Sequence, residues 1–340
     1  MDKKKIILIG SNHSAALELI FKRELESKGN QVHIIPVQNK FLEHYNKSIY
    51  NKIKYRLGLS CIINELQCFI KNKIVEFNPN LVLVFKGMEV EPETISWIKA
   101  QRIKVCNYNP DHPFIFSGRG SGNSNVTNSI KLFDHYFSYA SDVVGQLKKQ
   151  GVNSALIPFG FDSDGFDYKQ MTQENEIMKV CFLGNADVER VHFLNCLADM
   201  GVEIDVYGEN WTRFKLNLKI NSNSARYGQQ FWSVLQNYAV QLNLLRPHNL
   251  HTHNMRSFDI PGAGGIMLAP ITPDHSNFFI PNKEIFLFTD ASDACQKIND
   301  ILALTFWERF SIREAAREKA IRLHSYHSRV EELLKEINAN

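Results

Sequence analysis

The sequence predicts an α/β protein of two consecutive Rossmann-like domains, each built on a parallel sheet. A βαβ pattern opens the chain: an apolar run at 6–9, helical spacing over 15–28 and a second strand at 32–37, which favours parallel strands. The same alternation starts again at 179–183, after a polar stretch at 162–177 without periodicity. The chain has 340 residues, enough for two domains of ordinary size. Two such domains are expected to face each other across a cleft.

The composition is that of a soluble globular protein, with 44% hydrophobic and 22% charged residues. A net charge of +3 gives no indication of a nucleic-acid binder. The six cysteines form no CxxC pair, so we expect reduced thiols in a cytoplasmic protein. No stretch approaches the roughly 20 apolar residues of a membrane span, and the apolar run at 6–9 is too short for a signal peptide.

The first domain is predicted to span 1–161. Short apolar runs indicate its later strands at 80–85, 104–108, 133–138 and 155–157, with helices at 93–99, where Pro92 starts the first turn, and at 142–149. The strand at 104–108 leads into Asn109-Pro-Asp-His-Pro113, which places Asp111 and His112 at the carboxyl edge of the sheet. Residues 117–129 are rich in Gly, Ser and Asn and are predicted to form a mobile loop.

The region 40–77 is basic and helical in tendency. Its cations alternate with Ile, Tyr, Leu and Phe; they are Lys40, Lys47, Lys52, Lys54, Arg56, Lys71 and Lys73. Two interpretations stay open: a solvated helical face, or an electropositive surface that meets an anionic membrane or an acidic acceptor. The second would make the protein membrane-associated.

Residues 162–177 are interpreted as a linker, and the second domain is predicted over 178–323. Its strands are expected at 179–183, 203–207, 240–245, 266–269 and 285–288, and its helices at 191–200, 230–238, 291–304 and 307–323, with 212–230 irregular. C-terminal helices close the chain; the last lies within 324–340 and is expected to pack back on the first domain.

Charged and glycine residues concentrate in the stretch 241–269. A strand leads into a polar loop, a helix start near Asn254, the pair Gly264-Gly265 and a further strand. This order is how α/β proteins build a ligand site at the carboxyl edge of a sheet. Arg246, Arg256 and Asp259 lie where such a site needs charge.

This stretch resembles the CgeB-like (spore maturation protein-like) glycosyltransferases of the two-Rossmann GT-B fold. The likeness is carried by Leu242-Asn243, Arg246, Asn254-Met255-Arg256, Phe258-Asp259-Ile260-Pro261 and Gly264-Gly265. Weaker matches are Phe182-Leu183-Gly184 with Arg190, Val206-Tyr207-Gly208 with Trp211, Asp111-His112-Pro113, Pro158-Phe159, and His324-Ser325-Tyr326 with Arg329. The resemblance implies sugar transfer from a nucleoside-diphosphate donor in the second domain, metal-independent and retaining, for polysaccharide biosynthesis or a related pathway.

The sequence departs from the family pattern at three places. Asp259 replaces the family's glutamate, and Gly262-Ala263-Gly264 replaces its Ala-x-Gly. The wider retaining family 4 (group 1) glycosyltransferases, to which the chain is distantly similar, carry a second glutamate eight positions earlier; His251 stands there. The stereochemical outcome is therefore open between retention and inversion.

The resemblance implies a donor site in which cations and N–H donors meet the charge that grows on the leaving diphosphate. Arg190, Arg246, Arg256 and the helix start at Asn254 are the candidates. Asp259 can accept the ribose hydroxyls. The remaining predicted donor ligands are Gly184, Gly264 and Gly265 for close backbone approach, Tyr207, Gly208 and Trp211 for the base, and His251. The alternatives are a surface carboxylate for Asp259, a solvated helix start for Arg190, core packing for Trp211 and an ion pair for Arg246.

The candidates for taking the acceptor's proton are His112, Asp111 and His13 from the first domain. Alternatively, Asp111 caps a turn and His112 packs beside it, because in a retaining reaction the leaving phosphate can take the proton.

Two motifs resemble metal sites. Asp162-Ser163-Asp164 matches a metal–diphosphate pair, and His248, His251 and His253 are closely spaced. We interpret them as part of the linker and as a polar loop, and expect neither metal nor cofactor.

Three hypotheses follow: a glycosyltransferase, which leads; a non-catalytic nucleotide-sugar-binding module of a polysaccharide assembly complex; and a nucleotide-sugar epimerase. The sequence identifies neither the donor's sugar and base nor the acceptor, which can be a glycan, a lipid-linked glycan or another molecule such as a protein.

Overall fold

The computed structural model describes residues 3–14, 16–116, 120–246 and 251–339. Their contacts divide the chain into two compact units. Unit 1 comprises Met1–Pro158 and Arg329–Asn340, and unit 2 comprises Phe159–Ser328. The stretch 162–177, interpreted above as a linker, falls inside unit 2 in this division, and the last residues of the chain fall in unit 1.

Unit 1 is built on a parallel sheet that has six strands in the described part of the chain, in the order β2-β1-β3-β4-β5-β6. The strands are β1 (Lys5–Ile9), β2 (Gln31–Ile35), β3 (Leu81–Phe85), β4 (Lys104–Asn109), β5 (His135–Ser138) and β6 (Ser154–Leu156). Side chains of β1 and β3 are buried almost throughout, as expected for central parallel strands that are covered on both faces.

The helices of the first 158 residues connect these strands. They are α1 (Leu17–Ser27), α2 (Val37–Asn46), α3 (Ile49–Arg56), α4 (Ile62–Phe77), α5 (Pro92–Ala100), α6 (Ser124–Ser129) and α7 (Ser141–Lys149). Helix α6 corrects the prediction of a loop throughout 117–129. The side chain of Asn123 accepts a hydrogen bond from the Val126 amide and caps this short polar helix. Residues 117–119 of the predicted loop lie outside the described residues.

Unit 2 also contains a parallel sheet with six strands among its described residues, in the order β12-β11-β10-β7-β8-β9. The strands are β7 (Ile177–Leu183), β8 (Ile204–Tyr207), β9 (Ile220–Asn223), β10 (Tyr238–Leu242), β11 (Met267–Pro270) and β12 (Phe286–Phe288). Strand β9 was not predicted, since 212–230 was expected to be irregular. It is a polar edge strand in which only Ile220 is buried.

The remaining helices are α8 (Val188–Asp199), α9 (Gln229–Asn237), α10 (Arg256–Gly262), α11 (Pro273–Phe278), α12 (Ala291–Ala303), α13 (Phe306–His324) and α14 (Tyr326–Asn338). Helix α11 was not predicted; Thr272 caps it and Pro273 starts it. The last turns of α14 belong to unit 1, where Leu333 and Ile337 are buried and the Lys104 Nζ donates to the Ile337 carbonyl at 2.7 Å. None of the described helices is long and apolar enough to cross a membrane.

Each sheet changes its direction of winding beside its first strand. Strand β1 lies between β2 and β3, and β7 lies between β8 and β10. At such a point the connections on the two sides run in opposite directions, so a crevice opens at the carboxyl ends of the two central strands. A ligand site is therefore expected in the β1/β3 crevice of unit 1 and in the β7/β10 crevice of unit 2.

Candidate functional site

Arg190 bridges the carboxyl ends of β7 and β10. It lies in the first turn of α8, whose N-cap is Asp187. Its Nη1 donates to the Asn185 carbonyl after β7 at 3.1 Å, and its Nη2 donates to the Leu244 carbonyl after β10 at 3.0 Å. The guanidinium also lies 5.3 Å from the ring centre of Phe182. The structure therefore rules out the alternative of a solvated helix start: Arg190 is a largely buried arginine at the switch point of the sheet.

Three of the predicted cations gather at this point. Burial lowers the pKa of Arg190, Asp187 raises it, and the charges of Arg246 and Arg256 lower it further. The guanidinium groups of Arg246 and Arg256 are thus close enough to repel that of Arg190. Arg246 is exposed, and no ion pair with an acid is found for it among the described residues. The result is a positive crevice at the carboxyl edge.

Arg256 and Asp259 form one unit on α10. The Arg256 Nη1 lies 2.6 Å from Asp259 Oδ2, and the guanidinium lies 4.3 Å from the ring centre of Phe231. Asp259 is buried; burial raises its pKa to about 6, against the effect of Arg256, and Asp162 raises it further. Asp259 is therefore a buried, arginine-paired carboxylate and not a surface one.

Asn254 belongs to a buried polar network under α10. Its Nδ2 donates to Asn243 Oδ1 at 2.8 Å, and its Oδ1 accepts the Ser257 amide at 3.1 Å. The Ser257 hydroxyl lies 2.8 Å from His275 Nε2, while His275 Nδ1 lies 2.9 Å from the Pro270 carbonyl. Burial lowers the pKa of His275 to about 4, so it is neutral, with its proton on Nδ1. One first-turn amide of α10 is therefore already bonded within the protein, which weakens the predicted phosphate contact at Asn254.

The closely spaced histidines do not share one environment. His253 is fully buried; its Nε2 accepts the Phe159 amide at 3.3 Å, so its Nδ1 carries the proton toward Asp274 Oδ2 at 2.7 Å. His251 is exposed, and His248 lies outside the described residues. No group of three or more His, Cys, Asp or Glu side chains within the described ranges is arranged to hold a metal ion.

The turns after β7 and β8 touch each other. A Cβ on Gly208 would lie 2.1 Å from the Gly184 carbonyl oxygen, and Gly208 has φ +155°. Trp211 is 2% exposed, its Nε1 donates to the same carbonyl at 3.1 Å, and its ring packs edge-on against Phe182. Gly208 and Trp211 thus hold the Gly184 turn. The predicted stacking of Trp211 on a base is corrected to core packing, because both ring contacts are internal.

Tyr207 ends β8 in a hydrogen-bonded chain. Its hydroxyl lies 2.8 Å from that of Tyr238, which donates to Asp205 Oδ2 at 2.7 Å. The Arg226 guanidinium lies 5.7 Å from the Tyr207 ring centre. The ring is half-buried, so Tyr207 is the predicted aromatic residue that keeps partial exposure at this edge.

The Gly264-Gly265 pair is shaped by the protein itself. Gly264 has φ +81°, and a Cβ on Gly265 would lie 2.4 Å from the Leu235 carbonyl oxygen. The Gly264 carbonyl accepts a hydrogen bond of 3.0 Å from Arg313 Nη1. The sequence analysis predicted that a ligand comes close to the backbone at these glycines. In the structure it is α9 and α13 that come close to them.

The sequence reasoning missed the buried ion-pair cluster that holds this turn. Glu176 pairs with Arg309 at 2.6 Å and Arg313 at 2.8 Å, all with side chains at most 5% exposed. Arg313 also donates to the carbonyls of Gln236 and Tyr238. The available signal was the spacing of Arg309, Arg313 and Arg317, four residues apart on α13, which places them on one face.

In unit 1 a cavity of about 290 Å³ opens at the β1/β3 switch point and is lined by His13 and Lys86. Asp111 does not line it; its carboxylate lies 2.5 Å from Lys86 Nζ. His112 is buried, and its Nδ1 accepts the amides of Phe114 at 3.2 Å and Ile115 at 3.0 Å. Of the three predicted catalytic residues the structure therefore places His13 on the cavity, Asp111 beside it in an ion pair, and His112 in a turn.

Two acidic residues of this cavity were not predicted. Glu18 accepts the Ser11 amide at 2.7 Å, and Glu89 lines the same space. Burial raises the pKa of both carboxyl groups, and backbone hydrogen bonds and the charge of Lys86 oppose the shift. The charge of Glu18 raises the pKa of Glu89 further. In the sequence Glu18 belongs to a helical pattern and Glu89 to a turn, so no local motif marks either as a site residue. Only the fold brings them to one cavity.

Comparison with known proteins gives a domain family and a fold. A family model described as "Glycosyl transferase-like" matches residues 190–335. A search of the curated proteins gave no match. The residues matched include Arg190, Arg246, Arg256 and Asp259, so the positive crevice lies within the glycosyltransferase-like domain.

Solved structures share the fold over the whole chain. A glycosyltransferase from Rickettsia africae ESF-5 aligns at TM-score 0.67 and 15% identity, covering 100% of both chains. Sucrose-phosphate synthase from Thermosynechococcus elongatus aligns at 0.66 and 11%, covering 99% of each. Anabaena HepE in complex with UDP-glucose aligns at 0.65 and 11%, covering 99% of this chain and 100% of that one. The fold is GT-B, and with the domain match the chain is an enzyme of glycosyl transfer.

Proposed function

We propose that unit 2 binds a nucleoside-diphosphate sugar and that the enzyme transfers its sugar to an acceptor, as the CgeB-like resemblance implies. The observation that supports this most is the convergence of Arg190, Arg246 and Arg256 at the β7/β10 switch point. A diphosphate carries the matching negative charge, and Anabaena HepE, which shares the fold, was crystallised with UDP-glucose.

The chemistry assigned to these residues is charge stabilisation. As the bond from the anomeric carbon to the diphosphate breaks, its electron pair stays on the phosphate oxygen, and preorganised cations stabilise that charge. Arg246, exposed, and Arg256, oriented by Asp259, are the proposed direct phosphate ligands. Arg190 positions the crevice through its two carbonyl contacts. With arginines in this role the proposed reaction needs no metal ion.

Asp259 is proposed as the ribose ligand. A carboxylate accepts hydrogen bonds from two neighbouring hydroxyls, as in dinucleotide sites. Since its pKa is raised to about 6, it is ionised at neutral pH. His251 occupies the position of the first glutamate of retaining relatives, and an imidazole nitrogen there can accept a hydrogen bond from a sugar hydroxyl.

The acceptor is assigned to the cavity of unit 1. Glu18, Glu89 and His13 line it, and Lys86, its cation, is already paired with Asp111. Carboxyl groups favour a partner rich in hydroxyl groups over an anionic one. His13 is the proposed group near the acceptor's proton; in a retaining reaction the leaving phosphate oxygen takes that proton instead.

The experiment is a calorimetric titration with uridine, guanosine, adenosine and thymidine diphosphates, followed by the matching sugar donors. One diphosphate should bind, and Arg256→Ala or Arg246→Ala should weaken it about tenfold or more, the value of a lost charge-assisted hydrogen bond. Arg322→Ala, an exposed arginine on α13, is the charge-matched control and should bind as the parent does. If no diphosphate binds, or all three variants bind equally, the donor site is wrong.

Turnover separates the other hypotheses. Transfer or slow hydrolysis of the donor supports the transferase, and the configuration of the product's anomeric carbon, read by NMR, decides between retention and inversion. Conversion of the donor's sugar ring, with no acceptor present and no nucleotide released, would identify an epimerase. Tight donor binding with no change under any acceptor extract would identify a non-catalytic binding module.

A further inference from the structure

Helix α3 and the turn after it expose an apolar surface. We define the α3 surface as residues 47–59. Its five large apolar side chains are between 49% and 77% exposed; they are Ile49, Tyr50, Ile53, Leu57 and Leu59. Helix α3 buries none of its residues. Single exposed apolar side chains are ordinary, but a contiguous group indicates an interaction site.

The apolar side chains form a stripe. Ile49, Ile53 and Leu57 are spaced four residues apart, which places them on one side of the helix. Lys52 and Arg56 follow at helical spacing and flank the stripe. On the other flank Lys54 Nζ lies 4.6 Å from the ring centre of Tyr50. Long basic side chains in this position keep their aliphatic stems on an apolar surface while their charges reach the polar phase.

The charge of the α3 surface is of one sign. Residues 47–59 contain Lys47, Lys52, Lys54 and Arg56 and no Asp or Glu. The helix is already formed, with the Ser48 hydroxyl accepting the Asn51 amide at 3.1 Å. The binding of a partner therefore requires little ordering of this segment.

The neighbouring helices α2 and α4 differ from α3 in how their side chains are packed. Within the basic region 40–77, the candidate interaction surface is therefore α3. Helix α4 buries Leu66, Ile70 and Ile74 in unit 1, and its Lys73 pairs with Glu76 at 2.6 Å. Lys40 of α2 lies 4.5 Å from the ring centre of Phe69 on α4. These helices pack against each other and present a solvated face, whereas α3 carries unpaired apolar area.

We propose that the α3 surface docks on an anionic lipid bilayer, with the apolar stripe in the headgroup region and the flanking cations on acidic lipids. An interfacial helix combines an apolar face with Lys and Arg beside it, and an anionic leaflet attracts such cations. A nucleic acid would match the charge but leave the stripe exposed to water. The lipid surface is the partner that satisfies both features.

The test is flotation of the full chain with vesicles of phosphatidylcholine alone and of phosphatidylcholine with phosphatidylglycerol. The parent should float with the anionic vesicles and remain in solution with the neutral ones. The charge variant K52E/K54E/R56E should lose binding by more than tenfold, since each cation contributes about fivefold near an anionic surface. The apolar variant I49S/I53S/L57S should lose binding at low and at high salt.

Matched controls use other exposed side chains. Leu218, fully exposed on unit 2, is changed to Ser, and Lys148 and Lys149 of α7, both exposed, are changed to Glu. Both controls should float as the parent does, and circular dichroism should show every variant folded. The proposal is overturned if the parent does not bind anionic vesicles, if it binds neutral ones equally, or if the apolar variant binds like the parent. Loss only in the charge variant would show attraction to anionic lipid by charge alone, without the apolar stripe in the headgroup region, and would also overturn it.

Discussion

At the scale of single residues, the predicted charged positions lie together, and two of the three arginines already have partners in the protein. Arg256 is bonded to Asp259, and Arg190 to two backbone carbonyls. Arg246 remains exposed. In the proposed donor site, Arg256 and Arg190 are thus held in place before a phosphate arrives, which is the condition for electrostatic stabilisation without reorganisation.

Asp259 should make stability depend on pH. The folded protein keeps a proton on this carboxyl up to about pH 6, whereas the unfolded chain releases it near the ordinary value of 3.8. Between these values the folded state binds more protons, so its stability falls as pH rises, by up to about 3 kcal/mol for this group. Urea unfolding from pH 4 to pH 7 measures the loss, which should be smaller in Asp259→Asn by the contribution of this group.

The control for this prediction is Asp300→Asn, an exposed aspartate on α12. Its stability should follow the parent's across the same pH range. Identical pH profiles for the parent and Asp259→Asn would show that Asp259 titrates normally in the folded protein.

Gly264→Ala should destabilise unit 2. Alanine at φ +81° costs about 1–2 kcal/mol, and its Cβ would lie 3.3 Å from the Tyr168 ring. Gly145→Ala is the matched control, because Gly145 lies inside α7 with open space around it and should gain up to about 1 kcal/mol. Urea unfolding of both variants measures the contrast; equal effects would contradict the conformational argument.

At the scale of elements, each described strand except β9 was predicted, the edge strands β2, β6 and β12 included. Strands β1, β3 and β11 and the second half of β7 are buried apolar runs, and a buried parallel strand requires that pattern. Strand β9 pairs with β8 alone and buries only Ile220, so its polar residues form no apolar run that predicts a strand. Helices α6 and α11 are six residues each, too short for a helical period to show, so their caps define them.

Helix α13 stabilises the sheet of unit 2 through its arginines. Replacing Glu176 by Gln leaves Arg309 and Arg313 buried without their counter-charge. Removing one partner of a buried ion pair typically costs about 3–5 kcal/mol. Urea unfolding should show this loss for Glu176→Gln, and Glu76→Gln, from the exposed Lys73 pair, should leave the midpoint unchanged. A small loss at Glu176 would mean that water reaches the cluster.

At the scale of the whole molecule, the chain passes from unit 1 to unit 2 and returns. Helix α14 starts at the end of unit 2 and completes unit 1, where Val330, Leu333 and Ile337 are buried. Burial raises the pKa of Tyr108 on β4, and the charge of Arg329 opposes that shift. Burial lowers the pKa of His135 on β5, and the charge of Glu336 opposes that shift. Unit 1 therefore depends on the last residues of the sequence.

Leu333→Ala should destabilise unit 1 selectively. Leu333 is fully buried, and such truncations cost about 2–5 kcal/mol. Hydrogen exchange should show faster exchange in β4 and β5 with β7 and β10 unaffected, and Leu218→Ala on the surface should change neither unit. Faster exchange confined to unit 2 would contradict the assignment of α14 to unit 1.

The α/β class, both parallel sheets and the segment of the candidate site could be predicted from the sequence, because buried strands and their turns are local patterns of apolar and turn-forming residues. The contacts of each side chain there follow from the fold alone. It joined Arg190 to Leu244, buried Trp211, bound Gly264 to Arg313 and brought Glu18 to Glu89. These contacts join residues on different elements, and no local pattern specifies which distant groups the fold will place within hydrogen-bonding distance.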